Sequence, residues 1–148
     1  MTGGFTSELH TGDGFVVVSL TGELDLAEGP GLRKSLERVL RTGTRLVVID
    51  AAELTFLDSS GIGLLVAAHN QQQAAGALLV IANLKEGVGR PIRLTEVDTA
   101  VPVHWAATPV TPWADEAADP VSILTGLGFS DAASALAAAV DVDAEPIG

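Results

Sequence analysis

Asp58-Ser59-Ser60-Gly61 sets a carboxylate, two hydroxyls and a glycine in one run, where a strand-like pattern gives way to a helical one. A hydroxyl at that junction meets backbone N–H groups that have no partner inside the helix, at the positive end of its dipole. Two chemistries suit it. As a helix N-cap, Asp or Ser contributes about 1 kcal/mol, and Gly61 would let helix and sheet pack closely. As a phosphoryl acceptor, the serine would carry a phosphate onto free N–H donors. A nucleophile elbow does not fit, because Gly-x-Ser-x-Gly needs a glycine two places before the serine and Leu57 stands there. No Gly-x-x-x-x-Gly-Lys-Ser/Thr phosphate loop occurs in the chain.

Other reactive residue types are scattered. Gly87-Val88-Gly89 lacks the spacing of a dinucleotide-binding turn. His10, His69 and His104 are isolated, each expected as a surface or packed residue rather than a ligand, and no nucleophile motif accompanies them toward a triad. Asp25, between a strand and a helix, and Asp50, at a strand end before Ala51-Ala52-Glu53, read as caps. Trp105 and Trp113 flank a proline-rich stretch that they are expected to pack onto the domain. The chain has no cysteine, which excludes disulfides, thiol catalysis and cysteine metal sites. No catalytic residue, metal site or cofactor is expected.

The elements that must position these residues follow from periodicity. Residues 15–21 are β-branched and continuous, a strand, with 5–10 as its hairpin partner across Gly12-Asp13-Gly14. After Gly22-Glu23-Leu24-Asp25, read as a turn, Leu32, Leu36, Val39 and Leu40 fall at helical spacing with arginine and lysine opposite, giving a helix over 27–41. Residues 45–50 are apolar on both faces, as in a central parallel strand. A helix over 60–75 turns Ile62, Leu65 and Val66 inward and ends at Gly76. A strand over 78–82 follows, then a helix over 85–97 that Pro91 should shorten or bend, then a short edge strand over 101–104. Residues 106–120 read as an irregular loop, with helices opening at Asp119-Pro120 and, capped by Ser130, over 131–140, and a frayed tail from Asp141. The order β-β-α-β-α-β-α-β is that of an α/β layer fold.

Composition bounds the rest. A 148-residue chain that is 47% hydrophobic can bury a core, and with only 4% aromatic residues that core is aliphatic. The net charge of −11 argues against direct nucleic-acid binding and anionic membranes and favours a basic partner. No apolar run approaches the ~20 residues of a membrane span. Met1-Thr2-Gly3-Gly4-Phe5 lacks the charged and apolar regions of a signal peptide, so a cytoplasmic protein is expected.

Three segments, taken together, resemble STAS domains and specifically the bacterial anti-sigma factor antagonists. They are Val18-Ser19-Leu20-Thr21-Gly22-Glu23-Leu24-Asp25; Leu46-Val47-Val48-Ile49-Asp50 leading through Leu54-Thr55-Phe56-Leu57 into Asp58-Ser59-Ser60-Gly61-Ile62-Gly63; and Gly76-Ala77-Leu78-Leu79-Val80-Ile81. The resemblance spans residues 5–104. It implies a mixed sheet of four to five strands with helices packed mainly on one face, and no catalysis by the protein itself. It implies a phosphorylated serine at Ser59, an ATP-using anti-sigma factor serine kinase as partner, and a separate serine phosphatase. The unphosphorylated form would bind the anti-sigma factor and free a sigma factor. Asp25, Asp58, Ser59, Ser60 and Gly61 would form the partner-binding surface. The expected organisation is a STAS domain over 1–106 and a C-terminal extension over 107–148, which either includes the last STAS helix or stands apart. A STAS subunit of a transporter or signalling assembly is the alternative function.

Overall fold

Runs of branched apolar residues without polar alternation can expose neither face, so they become inner strands of a sheet covered on both sides. In the computed structural model, which describes residues 4–25, 27–40 and 44–144, these runs are β2 (Phe15–Leu24), β3 (Leu46–Leu57) and β4 (Leu78–Leu84). The expected hairpin partner, β1 (Phe5–Thr11), pairs antiparallel with β2. β5 (Val103–Trp105) forms the other edge. The five strands lie in the order β1-β2-β3-β4-β5, with β2, β3, β4 and β5 parallel to one another. The α/β class and the mixed sheet are therefore as expected.

The connections α1 (Gly29–Leu40), α2 (Ser59–Ala74) and α3 (Glu86–Leu94) each carry the chain one strand further in the same direction. Right-handed crossovers stepping one way across a sheet must lie on one face. Leu32, Leu36 and Val39 of α1, Ile62, Leu65 and Ala68 of α2, and Ile92 of α3 accordingly pack on Val16, Val18, Val47, Ile49, Leu79 and Ile81. That topology leaves the alternate residues, Phe15, Val17, Leu46, Val48, Val80 and Ala82, on a second face with no crossover helix. The C-terminal residues cover it. A 3-10 turn (Pro112–Ala114), α4 (Pro120–Gly126) and α5 (Ser130–Ala144) bring Trp113, Ile123, Leu124, Leu127, Ala133 and Leu136 onto it. Among the described residues, three α-helices thus sit on one face and two on the other, and α4 and α5 share the sheet's core rather than forming one of their own.

Several boundaries differ from the sequence reading. Gly22-Glu23-Leu24 is strand, not turn, and β3 runs to Leu57 instead of ending at Asp50. Two register shifts explain both. Ser19 pairs with Asp50 but Thr21 with Glu53, and Gly22 pairs with Leu54 but Glu23 with Phe56, so across these irregularities the two strands stay paired as far as Leu24 and Leu57. Asp50 therefore caps no turn, although its Oδ1 accepts the Ala52 N–H at 3.2 Å. Gly22 sits at φ +97°, where a Cβ would overlap the carbonyl oxygen of Gly4, just before the start of its neighbour β1. α3 stops at Leu94, three residues early, and Glu96 at φ 58° turns the chain into a 3-10 turn (Val97–Thr99). β5 is offset from the expected 101–104. Helical backbone in α5 continues to Ala144 where a tail was expected. The expected α1 end at Arg41 and the residues from 145 onward lie outside the described residues.

Candidate functional site

The register shifts have a direct consequence for the site. Pairing of β3 with β4 ends at Asp50 and Ala82, so β2 and β3 run on beyond β4, flanked by β1 as far as Gly22. Their last residues, Leu24 and Leu57, are register partners, and the Asp58 N–H points at the Leu24 carbonyl at 3.5 Å. Asp25 and Asp58 therefore leave adjacent strands side by side.

Each aspartate opens a helical turn. Asp58 is extended (φ −102°, ψ −178°), its Oδ1 accepts the Gly61 N–H at 2.9 Å, and its carbonyl accepts from Ile62 at 3.0 Å. This is N-cap geometry, and of the Asp and Ser candidates that the sequence offered Asp58 takes the role, with α2 starting one residue earlier than expected. Asp25 Oδ1 accepts the N–H groups of Ala27 at 3.0 Å and Glu28 at 3.2 Å, fixing the turn into α1. Ser59 and Ser60 are the first two residues of α2, and both are exposed. Gly61 is buried. A Cβ there would lie 2.8 Å from Leu57 Cδ1 and 2.9 Å from the Leu24 carbonyl oxygen, so only glycine seats the first turn of α2 against both strand ends.

An open cleft of about 500 Å³ lies between the starts of α1 and α2, lined by Asp25, Gly29, Pro30, Arg33, Lys34, Glu37, Ser60, Gly63 and Leu64. It unites Asp25 with Ser60, while Ser59 lies outside its lining. Arg33 and Lys34 were not singled out in the sequence. Their signal was the basic face of the helix, opposite Leu32, Leu36 and Val39, but nothing local says that this face borders the serines.

The remaining candidates do not join this site. His10 is on edge strand β1 and His104 on the opposite edge, β5, so the sheet itself separates them. His69 is buried, its Nδ1 2.9 Å from the Leu79 carbonyl. Burial lowers the pKa of His104 below its usual 6.5, and its Nδ1 accepts the Asn83 N–H at 3.1 Å, as only an unprotonated nitrogen can. Asn83, left-handed at φ 61° and buried, also ties Asp50 Oδ1 (3.0 Å) to the carbonyl (2.9 Å) and N–H (2.9 Å) of Val110. That network latches the loop leading to α4 onto the sheet. Trp113 is buried on the second face, and Trp105 lies under the Arg93 guanidinium at 4.1 Å. Among the described residues, no group of His, Asp and Glu could hold a metal ion, and no helix is long and apolar enough to cross a membrane.

The STAS domain family model matches residues 6–108. The chain is 30% identical over 88 residues to the anti-sigma-B factor antagonist of Staphylococcus aureus, covering 60% of this chain and 82% of that protein. Its fold matches the crystal structure of an anti-sigma factor antagonist from Mycobacterium paratuberculosis with a TM-score of 0.63 and 27% identity, over 70% of this chain and 89% of that one. It also matches the Bacillus cell fate determinant SpoIIAA, solved in its phosphorylated form, with a TM-score of 0.56 and 19% identity over 69% and 92% of the two chains. This last likeness is one of fold. With its sheet order, its capped Asp58-Ser59-Ser60-Gly61 turn and these relatives, the chain belongs to the STAS domain family, among the anti-sigma factor antagonists, a family of regulatory proteins rather than enzymes.

Proposed function

We propose that this protein is a cytoplasmic anti-sigma factor antagonist whose unphosphorylated form binds an anti-sigma factor serine kinase and thereby frees a sigma factor for transcription. Phosphorylation of Ser59 by that kinase, using ATP, switches binding off, and a serine phosphatase restores it. The observation that carries this reading is the position of Ser59. It is exposed, first in α2, and relieved of capping duty because Asp58 already bonds the Gly61 N–H. Its hydroxyl can be modified without unmaking the helix.

The physics of the switch is local. A phosphate brings about −1.5 to −2 charges to the helix N-terminus, which tolerates them. It also stands beside the Asp58 and Asp25 carboxylates, and any acidic partner group facing that corner is repelled. Losing ~3 kcal/mol of binding weakens affinity more than a hundredfold, with no rearrangement of the fold.

The test is incubation of the full chain with ATP and each anti-sigma serine kinase of its organism, followed by site-resolved mass spectrometry. Phosphate on Ser59, absent in Ser59→Ala, is the expected result. Phosphate confined to other residues contradicts the assigned site. No phosphate with any kinase favours the STAS subunit of a transporter or signalling assembly.

A further inference from the structure

The overall charge of −11 favours a basic partner, but the cleft beside Ser60 carries both signs, Arg33 and Lys34 alongside Glu37 and an Asp25 whose carboxylate already accepts two backbone N–H groups. Three of the chain's cations are committed elsewhere. Lys85 Nζ donates to the Ala52 carbonyl at 3.2 Å, Arg93 is paired with Glu86, and Arg45 is held by interactions at the start of β3. Arg33 and Lys34 differ. Both are exposed, both line the cleft, and among the described residues neither forms an ion pair. Their wall faces a floor that includes Gly63 and Leu64, and Gly63 has open space where a side chain would stand. An entering chain segment can therefore approach the backbone of α2 while presenting an anion to the two cations.

We propose that Arg33 and Lys34 form an anion seat that takes a carboxylate-bearing segment of the anti-sigma kinase, and so help to select which kinase is bound. This rests on the antagonist reading above and adds the partner's chemistry to it. Opposed charges at an interface rim mainly set encounter rate and partner choice. The seat also sharpens the switch. A phosphate on Ser59 enters one residue from the cleft wall and raises the negative field where the partner's carboxylate must settle.

The experiment uses the kinase that phosphorylates Ser59 in the assay above. Its affinity is measured for the full-length wild type, for Arg33→Glu with Lys34→Glu, and for Arg90→Glu, an exposed α3 cation outside the cleft, as the charge control. Far-ultraviolet circular dichroism verifies the fold of each. The double reversal is expected to weaken binding by about 10-fold or more and to remove much of the salt dependence, while Arg90→Glu stays within about 2-fold. Unchanged affinity of the double variant, or equal loss in Arg90→Glu, overturns the seat and leaves the antagonist reading standing. Failure of every kinase to phosphorylate wild-type Ser59 overturns both.

Discussion

At the scale of single residues, Asp58 and Gly61 hold the site together in separable ways. Asp58→Ala removes the α2 cap and should cost about 1 kcal/mol in urea unfolding, whereas Asp58→Ser keeps an acceptor and should cost less. Gly61→Ala forces a Cβ against Leu57 and the Leu24 carbonyl and should cost about 1–3 kcal/mol. His104 gives a pH signature. Burial lowers its folded pKa below 6.5, so at intermediate pH the unfolded chain binds more protons. Its stabilising contribution is complete above the unfolded value and is lost as pH falls through the lowered one. Going from about pH 7.5 to about pH 5.5 should therefore lower the melting temperature of wild type more than that of His104→Gln, a difference that thermal melts at the two pH values read directly. The cap was legible in the sequence because it is local: acceptor, turn and donor lie within four residues, whereas the wall that makes Gly61 tight includes the distant Leu24 carbonyl. Asn83 was not, since its left-handed backbone and its bonds to Val110 depend on a loop 27 residues away.

At the scale of elements, legibility failed where pairing overrides local preference. Asp50-Ala51-Ala52-Glu53 contains poor strand formers, and the sequence accordingly ended the strand there. The structure carries β3 on to Leu57 because β2, freed by Gly22, offers a partner beyond the register shifts. The inner strands were recognised as apolar on both faces. What covers the second face was not, because α4 and α5 are short or alanine-rich and follow a loop that holds Pro109 and Pro112. A chain ending at residue 106 would bare Phe15, Val17, Leu46, Val48, Val80 and Ala82. Such a truncation should bind a hydrophobic dye strongly and aggregate on size-exclusion chromatography, and dye binding no greater than that of the full chain would contradict the shared core. Asn83→Ala tests the latch itself. It leaves Val110 without its acceptor and strains the left-handed position, for an expected loss of about 2–4 kcal/mol by chemical denaturation.

At the scale of the molecule, charge is divided between the two faces. The last lysine or arginine is Arg93, so the charged residues of 107–148 are all acids, and the helices they form lie across the sheet from α1 and α2. The ends of β2 and β3, the serines and the cleft with Arg33 and Lys34 share the other side. Hydroxyls, carboxylates and cations thus converge on one side of the sheet, where the proposed phosphate on Ser59 would add further negative charge. The most direct measurement is the affinity of one full-length preparation for its anti-sigma kinase, taken before and after stoichiometric phosphorylation of Ser59. Binding should weaken about a hundredfold or more on phosphorylation and return on phosphatase treatment. Equal affinity of the two forms would contradict the account.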